Sequence, residues 1–310
     1  MTAGGAAIEP LVHIKDFRMD FGESTVIKDL SFDVRAGETF GFLGSNGSGK
    51  TTTLRALLGI YQPTAGTLHI DGKPFEPRDG ARLGYLPEER GLYKKERVLD
   101  VMVYFGRLKG LSKAAARSWS MEYLERVQLT DKATLNVDKL SGGQQQKIQL
   151  GVTIMNNPEL LILDEPTKGF DPVNRRLLMD IIEEQKLAGA TVIMVTHQME
   201  EVERLCDRVI LLKDGTARAY GTVSEVQDQF GGTVYRVTYD GGLPASDLFD
   251  VAARGPGTAD LAPRSGATES AVLRELIGAG AAVRSFTTER VSLEEIFINV
   301  YGDQHELAEA

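Results

Sequence analysis

The sequence predicts an α/β fold: a parallel sheet covered by helices on both faces, an inserted helical subdomain, and a small α+β domain at the C-terminal end. Three observations carry this. From Leu11 to about Gly232, short apolar runs alternate with segments of helical spacing. The runs Leu160–Leu163 and Thr191–Val195 are almost wholly apolar rather than alternating, as in strands buried on both faces. Near residue 232 the composition changes to a strand-like stretch followed by a segment rich in Gly, Pro and Ala, Gly241–Gly266.

Taken in order, Leu11–Phe17 and Asp29–Arg35 read as strands by alternation, and Glu38–Gly44 reads as a strand running into a glycine loop. Lys50–Leu58 has helical spacing, and Gly66–Asp71 reads as a strand after a Pro63–Gly66 turn. Between Arg97 and Val127 the pattern is helical, with Val98, Val101, Met102 and Phe105 three and four apart. The helical subdomain is expected over about 88–157. Strands return at Leu160–Leu163, Thr191–Val195 and Arg208–Leu212. The expected divisions are an N-terminal segment 1–10, a core 11–232, an α+β extension 233–303 and a tail 304–310. In the extension, Gly241–Gly266 reads as loop or weak structure, followed by a helix at Thr268–Ile277, a strand at Ala282–Thr288 and a helix at Ser292–Val300.

A chain of 310 residues, 42% hydrophobic, can bury one large core with a smaller satellite. No apolar run approaches the about 18–20 residues that cross a bilayer, and Met1–Pro10 lacks the basic start and apolar centre of a signal peptide. The expected location is therefore the cytoplasm. The single cysteine, Cys206, lies in an apolar stretch and reads as a small core residue. A net charge of −9 disfavours nucleic acid as a partner.

Gly44-Ser45-Asn46-Gly47-Ser48-Gly49-Lys50-Thr51 satisfies G-x-x-x-x-G-K-S/T, with a strand before it and a helix, opening through Thr52, after it. Such a loop aims backbone N–H groups inward at phosphate oxygens, and the helix dipole adds to them. Lys50 supplies a charge for the outer phosphates of a nucleoside triphosphate, and the Thr51 hydroxyl can ligate Mg²⁺. The run Leu160–Leu163 ends in Asp164 and Glu165. There Asp164 can hold Mg²⁺ through water, and Glu165 can orient or deprotonate an attacking water.

Upstream of that strand stands Leu140-Ser141-Gly142-Gly143-Gln144, and with it the chain resembles the ABC ATPase family over about residues 11–232. The resemblance implies a P-loop NTPase fold, ATP and Mg²⁺ as cofactors, and ATP hydrolysis in a head-to-tail dimer with itself or a related ATPase subunit. In that dimer Ser141, Gly142, Gly143 and Gln144 close over the γ-phosphate held by the partner. Taken alone, Ser141 is also an ordinary helix cap. Phe21, 23 residues before Gly44, resembles the aromatic residue that stacks on adenine; the alternative is a core phenylalanine. Asp171, in Gly169-Phe170-Asp171-Pro172, matches the loop that crosses the dimer seam. His197, after Met194-Val195-Thr196, matches the histidine that contacts the γ-phosphate. His13, His69 and His305 match nothing.

Phe170 stands where the family more often has Leu, and one further departure matters more. Glu88 stands where a glutamine is usual, which makes it a metal-ligand candidate; the competing reading pairs it with an arginine such as Arg90. Val291–Phe297 resembles the end of a domain attached to ATPases of type-2 exporters. The expected role is thus an ATPase subunit driving separate integral membrane permease subunits, held at the cytoplasmic face through them. Motion would pass through the helical block after Glu88. Lys94, Lys95, Arg97, Arg107 and Lys109 form either a solvated face or a contact with lipid or the membrane partner.

Overall fold

In the computed structural model, residues 10–89, 91–230 and 232–302 are described. The expected tail 304–310, the N-terminal segment up to residue 9, Arg90 and His305 lie outside them. The chain forms two compact units that divide between Tyr220 and Gly221.

The first unit is built on β1 (Val12–Phe21), β2 (Ser24–Val34), β3 (Thr39–Gly44), β4 (Ala65–Ile70), β5 (Leu83–Leu86), β6 (Leu160–Asp164), β7 (Thr191–Val195), β8 (Arg208–Lys213) and β9 (Thr216–Thr222). The sheet order is β4-β1-β2-β9-β8-β3-β7-β6-β5. The parallel expectation holds for β5, β6, β7, β3 and β8. The β4-β1-β2 side is antiparallel. For β1 and β2 the cause is local: Phe21 pairs with Ser24 across the two-residue turn Gly22-Glu23, with Gly22 at φ 60°, and a link this short joins only antiparallel strands.

The parallel strands are buried on both sides, and their side chains alternate between two cores. Leu161 and Leu163 of β6 join Val192 and Met194 of β7 in one core. Leu160 and Ile162 join Ile193, Val195, Phe40 and Phe42 in the other. This explains why these strands lack polar alternation.

Helices α1 (Lys50–Leu57), α2 (Val98–Leu108), α3 (Lys113–Arg126), α4 (Gly142–Ile154), α5 (Pro172–Leu187) and α6 (Met199–Leu205) complete the first unit. In the helical block, Trp119 stacks on Tyr123 of the same helix, and the Tyr123 hydroxyl donates to the Lys147 carbonyl (2.7 Å). Lys109 is not part of a solvated basic face. Its ammonium donates to the Thr153 carbonyl (2.7 Å), and burial pushes its pKa down to about 8. Cys206 packs against the core, where burial pushes the thiol far above its usual range, so it acts as a small apolar residue.

The second unit begins with α7 (Val223–Gln229), ahead of the composition change at 232. The reason is that α7 is tied into it: Arg290 pairs with Asp228, and the Val291 N–H donates to the Gly232 carbonyl. Four antiparallel strands follow, β10 (Thr233–Asp240), β11 (Phe249–Gly255), β12 (Thr258–Pro263) and β13 (Ala282–Arg290), in the order β11-β12-β10-β13. The hairpin β11–β12 corrects the expectation of loop over Gly241–Gly266. Its small residues hid it, yet Phe249, Ala259 and Leu261 are buried against Val272 and Leu276 of α8 (Glu269–Gly278). The last helix, α9 (Leu293–Tyr301), is fastened by Glu295, which accepts from Arg236; the same guanidinium also binds Asp260 and Glu289.

Replacing Leu163 by Ala removes a fully buried side chain from the strand that carries the acidic pair. The unfolding free energy should fall by about 2–5 kcal/mol, measured by urea denaturation.

Candidate active site

A cavity of about 280 Å³ opens where the parallel strands end, lined by Asn46, Gly47, Gly49, Lys50, Thr51, Thr52, Glu88, Asp164, Glu165 and His197, with Val26 and Val195 as apolar wall. Ten residues singled out in the sequence are thus brought together.

The loop after β3 turns tightly enough that the Ser48 N–H donates to the Ser45 carbonyl (3.2 Å). Gly49 begins α1 at φ 108°, and a Cβ there would lie 2.2 Å from Ile27 Cδ1, so both the backbone angle and the space require glycine. No side chain caps α1 and no acid lies in its first turn, so its positive end stays available to an anion. Lys50 reaches back over the loop and donates to the carbonyls of Gly44 (2.7 Å) and Ser45 (2.9 Å). Burial lowers its pKa, opposed by Glu165 and Asp164. The Ser48 hydroxyl is buried and has no hydrogen-bond partner.

Asp164 ends β6, and Glu165 follows with a left-handed backbone, φ 52°, its N–H held by the Val195 carbonyl (2.8 Å). Glu165 is 7% exposed. His197 Nε2 stands 3.2 Å from Glu165 Oε1, within ion-pair reach, but Oε1 accepts no hydrogen bond, so the two groups approach without aligning. Burial raises both carboxyls, Asp164 to about 6 and Glu165 to about 7, with help from Glu88 and, for Glu165, from Asp164. Burial, then Lys50, holds the His197 pKa below its ordinary value.

Glu88 follows β5 and faces the same cavity, and its Oε1 accepts from Lys168 Nζ (2.6 Å). Its partner in the structure is thus Lys168, while Arg90 lies outside the described residues. Nothing in the sequence patterns pointed to Lys168, three residues beyond Glu165 in a loop. The Thr51 hydroxyl, the Asp164 and Glu88 carboxylates and the unpartnered Glu165 Oε1 are hard oxygen donors, the chemistry that Mg²⁺ takes, while among the described residues no three acidic or histidine side chains stand together as a ready-made ion site.

The remaining candidates do not line this cavity. Phe21 is no core residue: 46% exposed, it packs edge-on against Tyr61 (5.3 Å between ring centroids), whose hydroxyl accepts from Arg55 of α1 (3.1 Å). Ser141 is the N-cap of α4, where its hydroxyl accepts from the Gln144 N–H (3.3 Å) and the Gln144 side chain accepts from the Ser141 N–H (2.9 Å). Gly142 and Gly143 open that helix, and a Cβ on Gly143 would meet the Phe170 ring at 3.2 Å. Asp171 caps α5 through the N–H groups of Val173 and Asn174 (3.0 Å each).

Comparison with known proteins gives two family matches, "ABC transporter" over residues 27–168 and "ATP-binding protein DrrA1-3-like, C-terminal domain" over residues 221–301. The chain is 37% identical to the uncharacterised ABC transporter ATP-binding protein YhaQ of Bacillus subtilis (strain 168), over 92% of this chain and 97% of that protein. It is 40% identical to Nod factor export ATP-binding protein I of Paraburkholderia xenovorans (strain LB400), over 70% of this chain and 72% of that one. A solved structure of the ATP-binding subunit of an ABC transporter is similar at 30% identity and TM-score 0.65, covering 71% of this chain and 93% of that chain.

The raised carboxyls have a sign that can be tested. A carboxyl whose folded pKa lies above its unfolded value contributes stability below the unfolded value and loses it as pH rises through the folded one. For Glu165 that window runs from 4.5 to about 7. Without metal or nucleotide, Glu165→Gln should match the wild type near pH 5 and exceed it near pH 8 by on the order of 2–3 kcal/mol. Urea unfolding at both pH values, with chelator present, measures this.

Proposed function

The chain belongs to the ABC transporter ATP-binding proteins and is an ATPase, and from that premise we propose that it powers export through separate membrane permease subunits by closing and reopening as a dimer around two ATP molecules. The observation that carries this reading is the meeting of Lys50 and Thr51 with Asp164, Glu165 and His197 in one cavity.

In this reading the loop Gly44–Gly49, the N-terminus of α1 and the hydroxyls of Thr51 and Thr52 bind the phosphates, and Lys50 exchanges its carbonyl partners for phosphate oxygens. Adenine rests on the exposed face of Phe21. Thr51, Asp164 and Glu88 would hold Mg²⁺, which supplies charge neutralisation along the phosphates. Glu165 accepts a proton from the attacking water. A pKa of about 7 and an Oε1 free of hydrogen bonds suit it to that task. His197, with a depressed pKa, orients the γ-phosphate as a neutral imidazole.

Ser141, Gly142, Gly143, Gln144 and Asp171 lie outside their own chain's cavity, which supports their acting on the nucleotide of a second copy or a related subunit. Export as the direction draws support from the Nod factor export relative and the C-terminal family match. Among the described residues no helix is long and apolar enough to cross a membrane, in keeping with attachment at the cytoplasmic face through the permease.

Lys50→Ala should weaken ATP binding by more than about tenfold. Glu165→Gln should bind ATP, lose about a hundredfold or more in kcat, and elute as a dimer in Mg-ATP on sizing chromatography. Wild-type turnover in Glu165→Gln would remove that residue from the reaction.

Glu88 in a glutamine position adds a negative charge beside the phosphates, which disfavours ATP until a metal is present. Glu88→Gln should therefore bind ATP with a weaker dependence on Mg²⁺, read by titrating the metal against binding of a fluorescent ATP analogue. Superimposable curves would leave Glu88 with no metal contact.

A further inference from the structure

Glu201, on α6, is 1% exposed, and the reaction as proposed gives it no task. A buried carboxylate costs several kcal/mol unless its oxygens find donors. Two donors reach it. Thr167 Oγ1 donates to Glu201 Oε1 at 2.5 Å, the short distance typical of a hydroxyl on a charged acceptor. Thr196 Oγ1 donates to Oε2 at 3.3 Å. Both threonines are themselves buried. Thr167 lies two residues after Glu165, and Thr196 immediately precedes His197. Glu201 therefore bridges the two segments that carry the candidate base and the candidate phosphate-orienting imidazole. Thr196 is held at a second point, since its hydroxyl also accepts from the Gln198 N–H (3.1 Å).

A third contact is incomplete. Arg175 Nε is buried and has no hydrogen-bond partner, and it stands 3.7 Å from Glu201 Oε1. That is beyond hydrogen-bond length but would need a closure of less than about 1 Å. A carboxylate has about four acceptor positions, and the two threonines fill one on each oxygen. An unsatisfied donor and an unsaturated acceptor thus face each other. Arg175 belongs to α5, the helix that Asp171 caps.

We infer that Glu201 is a positioning residue for hydrolysis: it fixes Thr167 and Thr196, and its contact with Arg175 closes as the already bound state proceeds to hydrolysis, linking the Asp171 segment to Glu165 and His197. The inference rests on the reading that Glu165 and His197 act on ATP. The contact is internal to one chain and involves no atom of the nucleotide, so its loss should slow turnover and spare binding.

Glu201→Gln keeps the shape and an acceptor for Thr167 but removes the charge that draws Arg175. Arg175→Met removes the guanidinium from a part-exposed site and leaves Glu201 with both threonines, so it tests the contact even if Glu201→Gln folds poorly. Each single variant should keep KM and binding of a fluorescent ATP analogue within about threefold of wild type and lose about tenfold in kcat. The double variant should be no slower than the slower single one, because both changes remove the same contact. The inference is overturned by wild-type kcat in Arg175→Met, by losses that multiply in the double variant, or by ATP binding that falls in parallel with kcat. If Glu165→Gln itself turned over normally, the reading beneath would fail instead, so the two failures are separable.

Discussion

The structure depends on the closure of both faces of its parallel strands. In β6 and β7 every side chain from Leu160 to Leu163 and from Val192 to Val195 enters one core or the other. Polar groups can then occur only where a strand leaves the sheet. The pairings fix which ends meet: Leu86 lies beside Leu163, and Asp164 beside Val195. Parallel neighbours end on the same side, so Glu88, Asp164, Glu165 and His197 converge with the loop after β3. The chemistry follows from a packing rule, since the apolar runs leave no other place for these side chains.

That convergence creates an electrostatic problem within the first unit. Three carboxylates, from Glu88, Asp164 and Glu165, share one cavity with a single lysine of the phosphate loop, and Lys50 spends its hydrogen bonds on loop carbonyls. The molecule relieves this in two ways visible in its geometry: Lys168 takes up Glu88 from the rim, and the pKa values of the two inner carboxyls rise. Both responses lower the negative charge that an incoming phosphate would meet, and a divalent metal arriving with a nucleoside triphosphate can take over that neutralisation.

Much of this was legible from the residues. The buried strands, the helical block and the glycine loop have signatures that arise within a few consecutive residues, where periodicity and steric need are decisive. The hairpin β11–β12 was not, because Ala, Gly and Pro carry almost no hydropathy pattern and the strands are identified only by what packs on them. The antiparallel pairing of β1 with β2 turned on a two-residue link that apolar patterning does not weigh. In the site, residues with a motif were found and their supports were missed. Lys168, Tyr61 and Glu201 meet partners distant in sequence, Glu88, Phe21 and Thr167, and no local spacing announces such a contact.

The backbone at Glu165 carries a last consequence. Its φ of 52° is a conformation that glycine or asparagine adopts at less cost than glutamate, and strain of this kind amounts to about 1–3 kcal/mol. The Val195 carbonyl holds it in place through the neighbouring strand. Selection for thermostability alone, blind to turnover, would therefore be drawn toward Gly or Asn here, and would arrive at a sturdier protein without the carboxylate proposed above as the base. On that proposal, glutamate at this position trades robustness for chemistry through a single dihedral angle.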